Sequence, residues 1–224
     1  LCKKIMKKDT ILFVQTSQAD MFVNNEFDTI YHEHISFFSA KSMEVITKNA
    51  GLEIIDVFKP FIHGTSYLFV IKKLDAIKTS ESDSLNRLME KEYEEGRYDI
   101  ASYERYSNSI GSIVSDLKIK IEEYRQKGYK IVGYGACGKG NCLLNFGNIT
   151  LDYIVDDNEL KWGFKTPGMN IDIKNPDELK KENGDLCIIP LAWNFFNDIH
   201  KNVKLRRKNE EDKFILYFPG VRVI

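Results

Sequence analysis

The last hundred or so residues alternate between short apolar runs and helical segments, and this alternation constrains the fold more than any other feature. The apolar runs are typical of strands, and the segments between them have helical character. Strands are predicted at residues 130–136, 151–157, 185–191 and 213–218, and helices at 139–146, 176–182 and 195–207. Nearly continuous apolar strands that alternate with helices indicate a parallel sheet covered on both faces. The sequence therefore predicts an α/β domain over residues 129–224.

The first half of the chain has a different organisation. Strands are predicted at 10–16, 52–58 and 66–72, and a helix at 40–50 that Gly51 ends. Residues 73–85 are polar and predict a linker. A long helical zone follows, in which apolar residues recur at helical spacing and predict one buried face. That stripe comprises Tyr103, Tyr106, Ile110, Ile113, Val114, Leu117, Ile121 and Tyr124, and Gly128 ends it.

Composition excludes several classes of function. The chain has 224 residues, of which 43% are hydrophobic, and no run approaches the ~20 apolar residues of a membrane span. The 32 Lys+Arg and 33 Asp+Glu give a net charge of -1, which argues against non-specific nucleic-acid binding. The four cysteines lack C-x-x-C spacing, and no signal peptide pattern precedes residue 16. We therefore expect a cytoplasmic protein with reduced thiols and no partner among membranes or nucleic acids.

A glycine-rich turn follows the strand predicted at 130–136. Gly133, Gly135 and Gly138 satisfy G-x-G-x-x-G between a strand and a helix. Small residues allow close approach of a phosphate, and the helix N-terminus favours negative charge. Lys139 adds a positive charge there, and Asp156 stands near the position of an acid that binds a ribose hydroxyl. The turn predicts a nucleotide ligand, although the glycines alone are also compatible with a tight turn.

Residues 27–34 hold two of the four histidines, His32 and His34, with Glu33 between them and Tyr31 before them. Imidazole exchanges protons near neutral pH, and a neighbouring carboxylate can orient it and raise its basicity. A polar surface loop is the alternative. A metal site is not predicted, since these residues rarely complete tetrahedral ligation without distant partners.

Two further segments follow predicted strands, at the sheet edge where open α/β sheets bind ligands. Residues 156–168 include Lys161 and Lys165, and residues 191–195 include Asn194. A charged loop and a helix cap are the alternatives for these two segments.

Together these segments resemble the sugar C-methyltransferases, which are S-adenosylmethionine-dependent enzymes of deoxysugar nucleotides. The family's motifs F-D-T-I-Y-H-E-H, H-G-G-S, Y-G-A-x-x-K-G-N, D-D-N-x-x-K-x-G-x-x-T-P-G and A-W-N have counterparts here in the same order. They lie at residues 27–34, 63–66, 134–141, 156–168 and 192–194. The chain departs from the pattern at Thr65, where the family has its second glycine, and at Tyr67, where it has an arginine.

The resemblance implies three parts, of which this sequence carries the last portion. Residues 1–73 would be the C-terminal part of a class I methyltransferase domain, 74–128 a linker with long helices, and 129–224 a Rossmann-like domain that holds the nucleotide sugar. The family's zinc-binding cysteines and the cofactor-binding glycine turn have no counterpart here. We therefore expect the S-adenosylmethionine site to be largely missing from this chain and an N-terminal half to be separate or missing.

The resemblance also implies roles for individual residues. His34 would be the base that deprotonates the carbon next to the ketone of a 4-keto sugar, with Glu33 and Tyr31 assisting it. The residues expected to bind the nucleotide-diphosphate sugar are His63, Ser66, Tyr134, Gly135, Lys139, Asn141, Asp156 and Lys161. The alternatives are an inactive nucleotide-sugar-binding remnant and, from the glycine pattern alone, an NAD-dependent oxidoreductase.

Overall fold

The computed structural model describes residues 1–16, 20–60, 66–74 and 82–224. The chain forms two compact units. The first unit comprises residues 1–24 and 34–106, and the second unit comprises residues 25–33 and 107–224. These limits differ from the predicted boundaries after residues 73 and 128. The assignment of residues 1–73 to a methyltransferase domain stays a prediction.

Most predicted elements are confirmed, with ends shifted by a few residues. The α-helices are α1 (Cys2–Ile5), α2 (Ala40–Asn49), α3 (Asp83–Glu94), α4 (Ile100–Gln126), α5 (Gly138–Gly147) and α6 (Phe196–Arg206). The strands are β1 (Leu12–Thr16), β2 (Leu52–Phe58), β3 (Tyr67–Lys73), β4 (Lys130–Tyr134), β5 (Tyr153–Val155), β6 (Ile173–Lys174), β7 (Leu186–Pro190), β8 (Lys213–Leu216) and β9 (Arg222–Val223). The helix predicted at 176–182 is a 3-10 helix, Pro176–Lys181. No described helix is long and apolar enough to cross a membrane.

The first unit is a three-stranded sheet with helices packed on it. Its strand order is β1-β3-β2, and β3 is antiparallel to both neighbours. Helix α2 starts at the N-cap Ser39, whose Oγ accepts a hydrogen bond from Ser42 N at 3.1 Å. The helix ends as predicted at Gly51, which has a φ of +67°. A residue distant in the sequence also caps the N-terminus of α2, because the buried Glu92 carboxylate accepts a hydrogen bond from Ala40 N.

The second unit is a Rossmann-like six-stranded sheet in the order β6-β5-β4-β7-β8-β9. The first five strands are parallel, as predicted, and β9 is antiparallel to β8. Strands β6 and β9, of two residues each, were not predicted. Strand β4 comes first in the chain and has β5 on one side and β7 on the other. The strand order therefore reverses at β4, and ligands bind such sheets at the carboxyl ends beside this point.

The apolar stripe predicted on the long helix is confirmed in the part of α4 that belongs to the second unit. Ile110, Ile113, Val114, Leu117 and Ile121 are all buried there. The stripe was wrong at Tyr103, which is 49% exposed. Tyr103 lies in the part of α4 assigned to the first unit, where its ring packs on Phe22 at a centroid distance of 5.0 Å.

A buried ion pair joins the loop between α6 and β8 to the stretch that leads into β7. Arg207 Nε donates to Asp212 Oδ2 at 2.6 Å, and both side chains are almost completely buried. The guanidinium also donates to the carbonyl oxygens of Leu179, Glu182 and Gly184. Asp212 Oδ1 accepts from Leu186 N at the start of β7. Because each charge is paired and hydrogen-bonded, the loss of one partner would leave the other buried without compensation.

We predict that Arg207→Leu lowers the free energy of unfolding by about 3–5 kcal/mol, measured by urea denaturation. Lys180→Ala is the control, because its ion pair with Asp177 is exposed, and it should cost under about 1 kcal/mol. Equal losses of unfolding free energy in the two variants would show that the buried pair stabilises the fold no more than an exposed one.

Candidate functional site

The glycine turn of the second unit is held against the end of β7. Gly135 has a φ of +94°, and a Cβ built on it would lie 2.9 Å from Ala192 Cβ. A Cβ on Gly140 would lie 2.6 Å from Leu191 Cβ. Helix α5 begins at Gly138, and the Cys137 thiol caps it by accepting from Gly140 N at 3.4 Å. The glycines therefore let α5 start very close to the neighbouring strand end.

Asp156 and Lys161 lie beside this turn, as the sequence suggested, but both bind the turn itself. Asp156 Oδ2 accepts from Ala136 N at 2.7 Å and from Lys161 Nζ at 3.0 Å. Lys161 Nζ also donates to the Ala136 carbonyl oxygen at 2.9 Å. Asp156 Oδ1 accepts from Asn158 N at 2.8 Å. These groups stabilise the turn, and their contact with a nucleotide stays a prediction.

The Tyr134 side chain lies in the core of the second unit rather than on its surface. The residue is 2% exposed, and its hydroxyl donates to Asp157 Oδ1 at 2.9 Å. Burial raises the pKa of this phenol, and the hydrogen bond with Asp157 raises it further. As a direct sugar ligand, Tyr134 is the least accessible of the residues predicted in this unit and described by the structure.

Residues 25–33 pack against α5. The Tyr31 ring covers the start of the helix, because a Cβ on Gly138 would lie 3.1 Å from Tyr31 Cε2. One turn along the helix, Cys142 Sγ donates to the Ile30 carbonyl oxygen at 3.4 Å. The Phe27 ring packs on Phe146 at a centroid distance of 5.3 Å. Residues 27–31 of the predicted catalytic segment are therefore brought together with the predicted nucleotide-binding turn.

Two adjoining cavities open beside this contact. One, of about 260 Å³, reaches from Tyr31, His32 and Glu33 to the turn and to Thr166. The other, of about 410 Å³, extends toward Asn145 and Phe146. Both are lined by Tyr31, His32, Gly138, Asn141 and Pro167. The aromatic, amide and imidazole groups along these walls suit a polar ligand that also has a ring.

Asn145 is a residue of this region that the sequence analysis missed. Its Nδ2 donates to the Asn141 carbonyl oxygen at 2.8 Å and to the Pro167 carbonyl oxygen at 3.1 Å. It therefore holds the turn around Pro167 against α5. The i, i+4 spacing of Asn141 and Asn145 is a weak signal, since amides at that spacing are common on exposed helices.

The sequence also predicted no role for Asp28, although this residue lies in the segment 27–34 that contains His32 and His34. It is completely buried, and its Oδ2 accepts from Trp193 Nε1 at 2.8 Å and from Tyr217 OH at 3.2 Å. Its partners lie 165 and 189 residues away, so no local pattern reveals this contact.

Lys139 lies in the same cluster as Asp28. Its Nζ is 4.2 Å from the centroid of the Trp193 ring, is buried, and has no hydrogen-bond partner among the described residues. A cation over an indole face is a favourable arrangement, most strongly where water is excluded. Its charge therefore acts within the protein interior, and its predicted contact with phosphates stays untested.

Burial raises the pKa of Asp28 to about 6, against the opposing effects of the Lys139 charge and of the hydrogen bonds from Trp193 and Tyr217. The Glu26 charge also raises it. Burial raises the pKa of the Tyr31 phenol, with smaller contributions from Glu33, Cys137 and Asp28. Burial likewise raises the pKa of Cys137, which makes its thiol a poor nucleophile at neutral pH.

The remaining predicted residues belong to the first unit. His34 is partly buried, and its ring meets Phe37 edge-on at a centroid distance of 6.4 Å. Ser66 is completely buried, and its Oγ accepts from Gln15 Nε2 at 3.2 Å. His63 lies outside the described residues. Within the described part of the chain, no group of three His, Cys, Asp or Glu is arranged to hold a metal ion.

We predict that Asp28 makes stability depend on pH. Between about pH 4 and 6 the folded chain retains a proton on Asp28 that the unfolded chain releases, so the free energy of unfolding falls as pH rises. The loss is on the order of 3 kcal/mol for a shift of this size. Asp28→Asn should lack this loss. Parallel stability curves for the two proteins, measured by urea denaturation across this range, would contradict the raised pKa.

Comparison with known proteins connects this geometry with a family. Residues 61–219 match the C-methyltransferase C-terminal domain. The chain is also 28% identical over 224 residues to the C-methyltransferase NovU of Streptomyces niveus. That alignment covers 98% of this chain and 53% of NovU, so the chain spans about half the length of this curated relative. Since the domain match covers well over half of its residues, the chain belongs to the family of C-methyltransferase C-terminal domains.

Proposed function

We propose that this chain is the sugar-binding and deprotonating part of a C-methyltransferase that acts on a nucleotide-linked 4-keto deoxysugar. The observation that carries the proposal is the family match over residues 61–219. The sugar substrate rests on the motifs at residues 27–34 and 134–141. The packing of Tyr31, within the first of these motifs, on α5 and the adjoining cavities support it.

In the proposed reaction the carbon next to the ketone loses its proton to the imidazole of His34. The electron pair of the C–H bond moves into the ring as an enolate, whose negative charge lies largely on the former ketone oxygen. Tyr31 donates a hydrogen bond to that oxygen, which stabilises charge as it develops. Its raised pKa keeps the phenol protonated at neutral pH, as this role requires. Glu33 orients the imidazole or stabilises its positive charge.

The methyl donor is S-adenosylmethionine, which supplies an electrophilic methyl group when bound. The described residues do not fit its cradle: the glycine turn in the second unit is packed against Ala192, and Tyr31 covers Gly138. We therefore assign the cofactor to an N-terminal half outside this sequence, in the same or a separate chain. Within this chain the proposed work is to bind the sugar nucleotide and to remove its proton.

Two alternatives remain distinct from this proposal. A remnant would bind the nucleotide sugar and leave its C–H bond intact. An NAD-dependent oxidoreductase would need an open turn at Gly138, and the Tyr31 ring at that position disfavours it. Exchange of the sugar proton with solvent separates the enzyme from the remnant, and NAD(H) binding is the mark of the oxidoreductase.

We predict that His34→Ala lowers proton removal about 10²–10⁴-fold while the affinity for the nucleotide sugar stays within about twofold. The measurement is deuterium incorporation from D₂O into a thymidine-diphosphate 4-keto sugar by NMR, which needs no methyl donor. Methyl transfer is then measured with the N-terminal half supplied.

The control for this measurement is His200→Gln, because His200 packs against Phe196 and Phe214 in the second unit, outside the proposed machinery. It should exchange deuterium at the wild-type rate. Near-normal exchange in His34→Ala would reject His34 as the base.

We also predict that a thymidine-diphosphate sugar binds this chain weakly and that S-adenosylmethionine hardly binds, because the cofactor turn lies outside the sequence. Isothermal calorimetry and saturation-transfer NMR measure both ligands, with NAD(H) as a third. Tighter binding of S-adenosylmethionine than of the sugar would contradict the proposed division of labour. Binding of NAD(H) would favour the oxidoreductase instead.

A further inference from the structure

Residues 25–33, here called the docked segment, are joined to the rest of the second unit by several side chains, among them Asn25, Phe27 and Asp28. Asn25 Oδ1 accepts from Ser109 Oγ at 2.6 Å. The Phe27 ring packs on Phe146 and on Phe218, at centroid distances of 5.3 and 5.7 Å. Asp28 provides a charged contact. A carboxylate is costly to bury, so its presence at this position calls for an explanation.

The Asp28 carboxylate connects the docked segment to two neighbouring parallel strands. Its donor Trp193 follows β7, and its donor Tyr217 follows β8. The Tyr217 hydroxyl also lies 3.2 Å from the Leu191 carbonyl oxygen. Both donors thus stand at the carboxyl ends of strands, where the ligand edge of the sheet lies. The contact fixes the segment at this edge.

The indole of Trp193 lies between an anion and a cation. Its N–H is directed at Asp28, and its face carries the Lys139 ammonium at 4.2 Å. The Lys139 charge lowers the pKa of Asp28, so the two charges attract each other. Lys139 stands next to Gly138, on which the Tyr31 ring packs. The cluster therefore connects the turn, two strand ends and the docked segment.

The chain between Asp28 and Tyr31 is short and hydrogen-bonded. Phe27–Thr29 form one 3-10 turn. Thr29 Oγ1 donates to the Glu26 carbonyl oxygen at 2.8 Å, and Tyr31 N donates to the Thr29 carbonyl oxygen at 3.1 Å. Only two residues separate Asp28 from Tyr31, so the position of Asp28 restricts where Tyr31 can lie.

We propose that Asp28, with Lys139 as its buried counter-charge and Trp193 between them, is a positioning residue that holds Tyr31 over the start of α5. The functional consequence rests on the proposed function, in which Tyr31 donates to the developing oxyanion. The anchoring of the docked segment by Asp28 does not rest on the proposed function, because it can be measured in this chain without any substrate. Lys139 acts here through Asp28 rather than as a phosphate ligand.

The anchor is tested by hydrogen exchange of this chain, read by mass spectrometry. Asp28→Ala removes the Oδ2 atom that accepts from both Trp193 and Tyr217, and exchange at residues 25–33 should rise at least about tenfold. Asp28→Asn keeps an acceptor oxygen, and exchange should return to within about threefold of wild type. Trp193→Phe keeps the ring without its N–H and should raise exchange in the same segment, so the test survives if Asp28→Ala does not fold. Unchanged exchange in the variants that fold would overturn the proposal.

The counter-charge is tested by a double-mutant cycle on unfolding. Lys139→Met lowers the folding equilibrium constant because it leaves Asp28 buried without its cation. In the Asp28→Asn background the same change should have an effect at least about tenfold smaller. The matched control is Asp212→Asn, another buried carboxylate of this unit whose partner is Arg207. In the Asp212→Asn background the effect of Lys139→Met should be as large as in the wild-type protein. Equal effects in the wild-type, Asp28→Asn and Asp212→Asn proteins would overturn the pairing of Lys139 with Asp28.

The consequence for catalysis is tested in the protein supplied with its N-terminal half. Asp28→Ala should lower kcat about 10- to 100-fold with the KM for the sugar within about twofold. Asp28→Asn should restore most of the rate. An unchanged kcat in Asp28→Ala would overturn the positioning role. If the wild-type protein transfers no methyl group, the proposed function fails, and the exchange and unfolding results still decide whether Asp28 anchors the segment.

Discussion

The close approach of backbone to neighbouring chain at four glycines is the constraint on which the second unit depends. A Cβ on Gly133 would meet Leu151, Ile154 and Leu191 at 2.9 Å, and a Cβ on Gly135 would meet Ala192. Gly140 and Gly138 have the same property toward Leu191 and Tyr31. At each of these glycines, atoms of a neighbouring residue occupy the space that a side chain would need. Strand β4 and helix α5 can therefore lie close to the end of β7 and to the docked segment. The glycines of the pattern that predicts a nucleotide cradle allow close packing within the chain.

Much of the fold was accessible from the sequence, because its signals are local. The apolar runs and the glycine after α2 depend on neighbours a few residues away, and the structure confirms them. Strands β6 and β9 have two residues each, which is too short for any periodicity to register. The prediction that the apolar stripe on α4 is buried was wrong at Tyr103. Spacing predicts which residues share a face of the helix, but it does not predict how far along the helix that face is covered by other residues.

In the candidate site, too, local motifs revealed some features, and contacts between distant residues were not predictable from the sequence. Motifs located the segment around Tyr31 and the turn around Gly135, and the structure brings these two together. Sequence could not reveal that Asp28 is the buried partner of Trp193 and Tyr217, since that contact joins residues more than 160 positions apart. Nor could it reveal that Lys161 binds Asp156, because a charge at a strand end suits an internal ion pair as well as a ligand.

The connection between Asp28 and Tyr217 has a consequence for biosynthesis. A ribosome adds Tyr217 189 residues after Asp28, so the hydrogen bond between them can form only after that stretch has been made. Residues 34–106, which lie between the two stretches of the second unit, belong to the first unit and can acquire their own contacts in the meantime. The residue after the last parallel strand thus completes the hydrogen bonds of a side chain translated 189 residues earlier. A nascent chain stopped before β8 would hold the contacts of the docked segment with α5 and Trp193 but would lack the Tyr217 hydroxyl, so the Asp28 carboxylate would be only partly satisfied.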